Sequence, residues 1–230
     1  MRLRRRLTAP FRAASLPVLA GNGKGLRVKA DRAILRVLPH GEQAVEDAFC
    51  ERARGGVVYD VGANIGWYSL LAAKRGARVF AFEPDTRNAG VLATNAQTNG
   101  FAERLDAVPA AASDRDGWCS FEDRGSLQSR VADNGSANSG HQVPCVQLDT
   151  WASLTGSAPT LVKIDVEGHE VSVLRGMRRI LADAQPALII ETHRTKDAVT
   201  AELASLGYQT RPLTARHLLA TPDGGQPAVS

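Results

Sequence analysis

Cysteine, methionine and aromatic residues are scarce in this chain of 230 residues, which has three cysteines, two methionines and 5% aromatic side chains. Cys50, Cys119 and Cys145 are odd in number, far apart and form no CxxC pair, which excludes a disulfide framework and a zinc site of cysteine spacing. Reduced, structural thiols of this kind suit the cytoplasm. No aromatic-rich basic patch is present to stack unpaired bases, which disfavours nucleic acid as a partner. Long apolar runs are missing as well. Leu7 to Ala20 is broken by Thr8, Pro10, Arg12, Ser15 and Pro17, so neither a signal-peptide core nor a membrane span is expected. Charge is nearly balanced, with 28 Lys+Arg against 24 Asp+Glu and a formal net charge of +4. Much of the excess sits in the opening RLRRR, Arg2 to Arg6, which reads as a solvated terminus rather than an arm for nucleic acid or membrane phosphate. The dinucleotide fingerprint GxGxxG and the triphosphate loop GxxxxGK followed by Ser or Thr are also absent.

What is present begins with VVYDVGANIGWYSLLAA, residues 57 to 73. Val57, Val58, Tyr59 and Val61 make a nearly continuous apolar run, the pattern of a parallel strand buried on both faces. Asp60 and Gly62 mark its carboxyl end. Gly62 and Gly66 lack a Cβ, so the chain can turn tightly there and a ligand can approach the amides that open the next helix. A second short apolar run, Ala77 to Phe82, stops at Glu83 before Pro84. An acid in that place, about 20 residues past the first turn, matches the two donors of a ribose diol.

The remaining chain repeats this rhythm. Residues 24 to 38 suggest one or two short strands, and Gly41 to Arg54 a helix closed by Gly55-Gly56, together a cap before the core. Thr86 to Asn99 reads as a helix and Leu105 to Ala111 as a third strand. Trp118 to Phe121 and Val143 to Leu148 read as strands around a polar stretch, Asp133 to Gly140, with the composition of a mobile loop. Leu161 to Ile164 is a fourth strand ending at Asp165, followed by a helix over Gly168 to Leu181. Ala187 to Ile190 is a fifth, ending in Glu191 with Thr192 and His193 beyond. A helix over Lys196 to Leu206 and strands at Tyr208 to Leu213 and His217 to Ala220 complete a seven-stranded sheet. With 43% hydrophobic residues and no linker-like stretch, one α/β domain is expected.

DVGANIG (60 to 66), FEPD (82 to 85) and KIDVEGHE (163 to 170), in that order, resemble the three signature segments of the FkbM-type methyltransferases, and the likeness runs from Gly55 to His193. The resemblance implies an α/β, Rossmann-like class I methyltransferase fold, its mostly parallel seven-stranded sheet flanked by helices on both faces. Residues 1–54 would form the arm and N-terminal cap and 55–230 the S-adenosylmethionine-binding methyltransferase domain. It further implies methyl transfer from S-adenosylmethionine to oxygen, commonly a hydroxyl of a sugar, glycoside or secondary metabolite. The motif of Asp, Asn or Ser, Pro-Pro and an aromatic that holds an exocyclic amine is absent. An RNA methyltransferase, prompted by the RLRRR arm, and a non-catalytic cofactor-binding module are the alternatives.

Ligands of such sheets bind outside the carboxyl ends of the strands, where Asp60, Glu83, Asp165 and Glu191 all fall. Asp60, Gly62, Asn64, Gly66, Glu83 and Asp165 are the candidate cofactor residues, with Ala111 to Ser113 as a wall for the adenine. Asp165, His169, Glu191 and His193 are the candidate catalytic residues: Asp165 to orient the nucleophile or take its proton, His169 as a general base. Glu191 and His193 alternate on the strand and share a face. With Asp165 they could bind magnesium or manganese, or they could form a hydrogen-bonded pair that positions substrate. His40, Glu42 and Glu46 of the cap could close over a small-molecule or glycan substrate, and the cap offers a contact for a homodimer.

Overall fold

The computed structural model describes residues 15–29, 42–122, 130–131 and 141–224. The basic arm, His40, residues 30 to 38 and the polar stretch Asp133 to Gly140 lie outside them. In chain order the elements are β1 (Ser15–Pro17), β2 (Arg27–Lys29), α1 (Gln43–Arg52), β3 (Val57–Val61), α2 (Trp67–Lys74), β4 (Arg78–Phe82), α3 (Thr86–Thr98) and β5 (Leu105–Val108). There follow β6 (Ala111–Ala112), β7 (Gly117–Glu122), β8 (Arg130–Val131), β9 (His141–Val146), α4 (Leu148–Thr155), β10 (Leu161–Ile164), α5 (Glu170–Arg175), α6 (Arg178–Asp183), β11 (Ala187–Glu191), α7 (Lys196–Ala204), β12 (Tyr208–Pro212) and β13 (His217–Pro222).

Seven strands form the main sheet in the order β12-β13-β11-β10-β3-β4-β5, and only β13 runs antiparallel to its neighbours. Alternation along the central strands feeds two apolar layers. Val58, Leu161 and Ile189 pack with Phe49 of α1, Leu70 of α2 and Leu92 of α3. Tyr59, Val162 and Ile190 pack with Leu148 of α4, Leu174 of α5, Leu181 of α6 and Leu203 of α7. Helices therefore cover both faces, as a parallel sheet of continuous apolar strands requires. No helix among the described residues is long and apolar enough to cross a membrane.

The N-terminal hairpin is clamped to α3 by two asparagines. Asn99 accepts from the Arg27 amide at 2.8 Å and donates to the Arg27 carbonyl at 2.7 Å. Asn95 accepts from the Lys29 amide at 2.9 Å and donates to the Ile65 carbonyl at 3.0 Å. Val18, Leu26 and Val28 thereby join the same apolar layer as α1 and α2.

Three elements differ from expectation. The third strand stops at Val108, because Pro109 interrupts it, and Ala111–Ala112 pairs instead with β9 in a separate sheet of order β6-β9-β7-β8. Helix α4 was not anticipated; it is short, and its cap comes directly off β9. The helix expected over 168 to 181 is two helices parted at Gly176. There the Gly176 carbonyl accepts from the Asp149 amide at 3.0 Å, and a Cβ on Gly176 would stand 1.9 Å from the Ser113 carbonyl oxygen.

That contact makes a prediction. Gly176→Ala should lose about 2–3 kcal/mol or more, since the Ser113 backbone must move to admit the methyl group. Gly90→Ala, in α3 with open space around the added Cβ, should gain about 0.5–1 kcal/mol. Urea unfolding of both variants checks the contrast, and equal effects would remove the packing argument.

Candidate active site

Four acids stand at the carboxyl ends of adjacent strands: Asp60 on β3, Glu83 after β4, Asp165 after β10 and Glu191 on β11. Each is held differently. Asp60, 2% exposed, accepts from the Ser69 hydroxyl of α2 at 2.5 Å and lies level with Lys163 on β10. Burial raises its pKa, against the opposing pull of Ser69 and Lys163.

The turn after β3 is an interlock of backbone. The Gly62 and Ala63 amides both donate to the Phe82 carbonyl, at 2.9 and 3.1 Å. Gly62 has φ +78°, and a Cβ there would lie 1.8 Å from the Asp165 carbonyl oxygen. This glycine therefore admits the neighbouring strand end, a use that spacing alone did not disclose. Gly66, φ +88°, begins α2 against Leu92. Asn64, φ 52°, takes part through its backbone, donating its amide to Glu83 Oε2 at 2.8 Å. Glu83 Oε1 accepts from the Asp85 amide at 2.9 Å, and Asp85 in turn caps α3. Burial pushes the Glu83 carboxyl up to about 7 despite these two bonds.

Asp165 opens the turn that carries Glu167, His169 and Glu170. Its side chain keeps 33% exposure and lies 3.7 Å from Lys163 Nζ. Burial raises its pKa, Glu191 adds to the rise, and Lys163 and His193 oppose it. Glu170, fully buried, accepts from the Gly168 amide at 2.9 Å, the Thr195 hydroxyl at 2.8 Å and His193 Nδ1 at 3.1 Å. Burial opposes its ionisation, but those bonds together hold its pKa below the usual range.

His193 is brought to the rim as expected, yet its main partner is Glu170. Nδ1 meets Glu170, while Nε2 is 3.4 Å from Glu167 and 3.5 Å from Glu191. The bonds to Glu170 and Glu191 push the imidazole up to about 10, so it is an imidazolium at neutral pH. Glu191 also meets Arg216 and His217, each at 3.4 Å; burial opposes its ionisation, but His193, His217 and Lys163 outweigh that and depress its pKa. His169 is buried with Nε2 3.0 Å from the Ser113 hydroxyl, tying the turn to the end of β6.

Among the described residues, Asp165, Glu167 and His193 offer ligand atoms within 4.8 Å of one another, and so do Glu42, Glu191 and His217. The expected trio is thus regrouped, with Glu167 in place of Glu191. In the cap, buried Glu46 accepts from the Trp67 indole at 2.8 Å and locks α1 onto α2, whereas Glu42 reaches the rim. Glu170, Ser69, Arg216 and His217 were not recognised as rim residues. The partners of Glu170, His193 and Thr195, lie 23 and 25 residues away along the chain.

The profile of the family described as Methyltransferase FkbM domain matches residues 60–210. The hexuronic acid methyltransferase AglP of Haloferax volcanii is 29% identical over 201 residues, which covers 83% of this chain and 79% of that protein. The crystal structure of a methyltransferase FkbM from Methylobacillus flagellatus superposes with a TM-score of 0.53 at 24% identity, over 73% of this chain. This chain spans 44% of that one. A tRNA (uracil-54, C5)-methyltransferase from Pyrococcus abyssi, solved with S-adenosyl-L-homocysteine, superposes with a TM-score of 0.54 at 12% identity, over 91% of this chain and 44% of its own, a likeness of fold alone.

The raised Glu83 has a measurable sign. Its folded pKa of about 7 exceeds the ordinary 4.5, so the folded protein keeps a proton that the unfolded chain releases. Stability from this group is therefore present below pH 4.5 and is lost as pH rises through about 7. In cofactor-free thermal melts, the stability of wild type relative to Glu83→Gln should fall by roughly 2–3 kcal/mol across that window. A constant difference would mean that Glu83 titrates normally.

Proposed function

We propose that this chain, which belongs to the FkbM methyltransferase family, methylates an oxygen of a glycan or glycoside, with a hexuronic acid as the best-supported acceptor sugar. Membership makes it a methyltransferase, and its methyl donor is S-adenosylmethionine. The acceptor rests on the relative that acts on hexuronic acid and on the chemistry of the rim.

One observation carries the reading. Burial raises the pKa of three of the four rim acids, Asp60, Glu83 and Asp165, so they lack full compensation for their charge. A cationic, donor-rich ligand fits such a row, and S-adenosylmethionine carries a sulfonium, an ammonium and a ribose diol. When bound it supplies an electrophilic methyl group for in-line displacement. Each Glu83 oxygen accepts one backbone N–H and the Asn88 side chain bonds to the same carboxylate, so a ribose diol would take the acceptor capacity that remains. Asp60 and the Gly62–Gly66 turn hold the amino-acid end.

Asp165 then receives the acceptor hydroxyl, aligning it and drawing off its proton as the new bond forms. His193, already protonated, does not take that proton. Between Glu167, Glu170 and Glu191 its charge offsets the carboxylates around it. Glu191 and His193 fix the far side of the site, and His169 fixes its wall at Ser113.

Incubation with S-adenosylmethionine and glucuronide or galacturonide oligosaccharides should add the mass of one methylene per turnover. Survival of the product in mild alkali marks a methyl ether on a hydroxyl, and cleavage marks an ester on the carboxylate. No transfer to uronic or neutral glycans would reject the glycan reading. Asp165→Asn should lower kcat by about 10²–10⁴ while S-adenosylhomocysteine binds within about threefold of wild type. Parallel losses would make Asp165 a cofactor ligand first.

A further inference from the structure

Lys163 is the only lysine among the buried described residues, 1% exposed in the middle of the central strand β10. Its neighbours along the strand, Val162 and Ile164, are ordinary core residues. An ammonium in that place costs several kcal/mol unless paired, so its partners reveal its use. Nζ lies 3.7 Å from Asp165 Oδ2, 3.4 Å from the Ile164 carbonyl oxygen and 5.2 Å from the centre of the Tyr68 ring. Across the sheet Lys163 is level with Asp60 on β3 and Ile189 on β11, two residues short of Glu191. Its charge acts on Asp60, Asp165 and Glu191 together.

We propose that Lys163 is a positioning residue, whose buried ammonium is shared by the row of acids and holds Asp165 as an oriented carboxylate where the methyl group is transferred. The inference rests on the methyltransferase reading above. The charged groups facing Asp165 are Asp60 from β3, Lys163 from its own strand, Glu167 from its own turn, and Glu191 and His193 from the end of β11. Of the two cations, His193 is already divided among Glu167, Glu170 and Glu191. Without Lys163 the acids crowd one another, and Asp165 must take up a proton to relieve the repulsion.

The test compares S-adenosylmethionine with S-adenosylhomocysteine by calorimetric titration between about pH 6 and about pH 9. The two ligands share ribose, adenine and amino acid and differ in the sulfonium charge, so Glu83 and the turn cancel in the ratio of their affinities. In wild type that ratio should stay flat with pH. In folded Lys163→Met it should climb about tenfold as Asp165 gives up its proton, one pK unit being a factor of ten. A ratio equally flat in the variant overturns the positioning role alone. Wild-type protein that binds neither ligand overturns the methyltransferase reading and this inference with it. Should Lys163→Met fail to fold, NMR of wild type with nitrogen-labelled lysine decides. A buried, slowly exchanging ammonium at neutral pH that shifts in Asp165→Asn supports the role, and a neutral amine refutes it.

Discussion

Carboxylates gathered at the ends of adjacent strands are the constraint to which the rest of this site answers. Negative charge in a crowded, partly dry place is tolerated only where cations, donors or protons offset it. Asp60 has the Ser69 hydroxyl and the Lys163 charge, Glu83 has two backbone amides, and Glu170 has an amide, a hydroxyl and an imidazolium. Asp165 has the long contact to Lys163 and a side chain only one-third exposed. The compensation is graded. Glu170 and Glu191 are tied down as anions, whereas Asp60, Glu83 and Asp165 remain under strain that an arriving cation relieves. On the proposed reading, the first set builds the framework and the second is left for the ligand.

The framework is rigid because backbone packs on backbone. At Gly62 the Asp165 carbonyl fills the space of a side chain, and at Gly176 the Ser113 carbonyl does the same. These two approaches join β3 to β10 and the α5–α6 break to the end of β6. His169 reinforces the second through its bond to Ser113. Every group that would touch cofactor is thereby referenced to the sheet. The three cysteines, free and buried, contribute no cross-link to this rigidity.

Legibility in the sequence followed the locality of the forces. Val57 to Val61 and Leu161 to Ile164 announce buried strands, and an acid at the end of such an apolar run announces where the strand reaches the rim. The four rim acids were therefore visible before any coordinates. The helix break at Gly176 was not, because Val171, Leu174, Met177 and Leu181 continue one apolar face straight through it, and the cause is a carbonyl far along the chain. Likewise, an acid at the start of α5 looks like a dipole partner, and the histidine and threonine that claim Glu170 come from the loop after β11. In the sequence His169 reads as a general base and His193 as a partner of Glu191 or a ligand to a metal. Their environments part them: one is bonded to a serine, the other is locked among acids.

The same electrostatics bear on which oxygen is methylated. A hydroxyl must be aligned and stripped of a proton, which calls for an acceptor such as Asp165. A carboxylate is already nucleophilic and calls instead for cations to hold it against the rim. Around Asp165 the acids Asp60, Glu167 and Glu191 outnumber the cations Lys163 and His193, and His193 is already engaged with Glu167, Glu170 and Glu191. A uronate brought carboxylate-first to that point would meet like charge in a medium that screens it poorly. Arg216 differs, since its side chain is 65% exposed and touches Glu191 only at 3.4 Å. On the proposed reading, a sugar acid would turn its carboxylate toward Arg216 rather than toward Asp165.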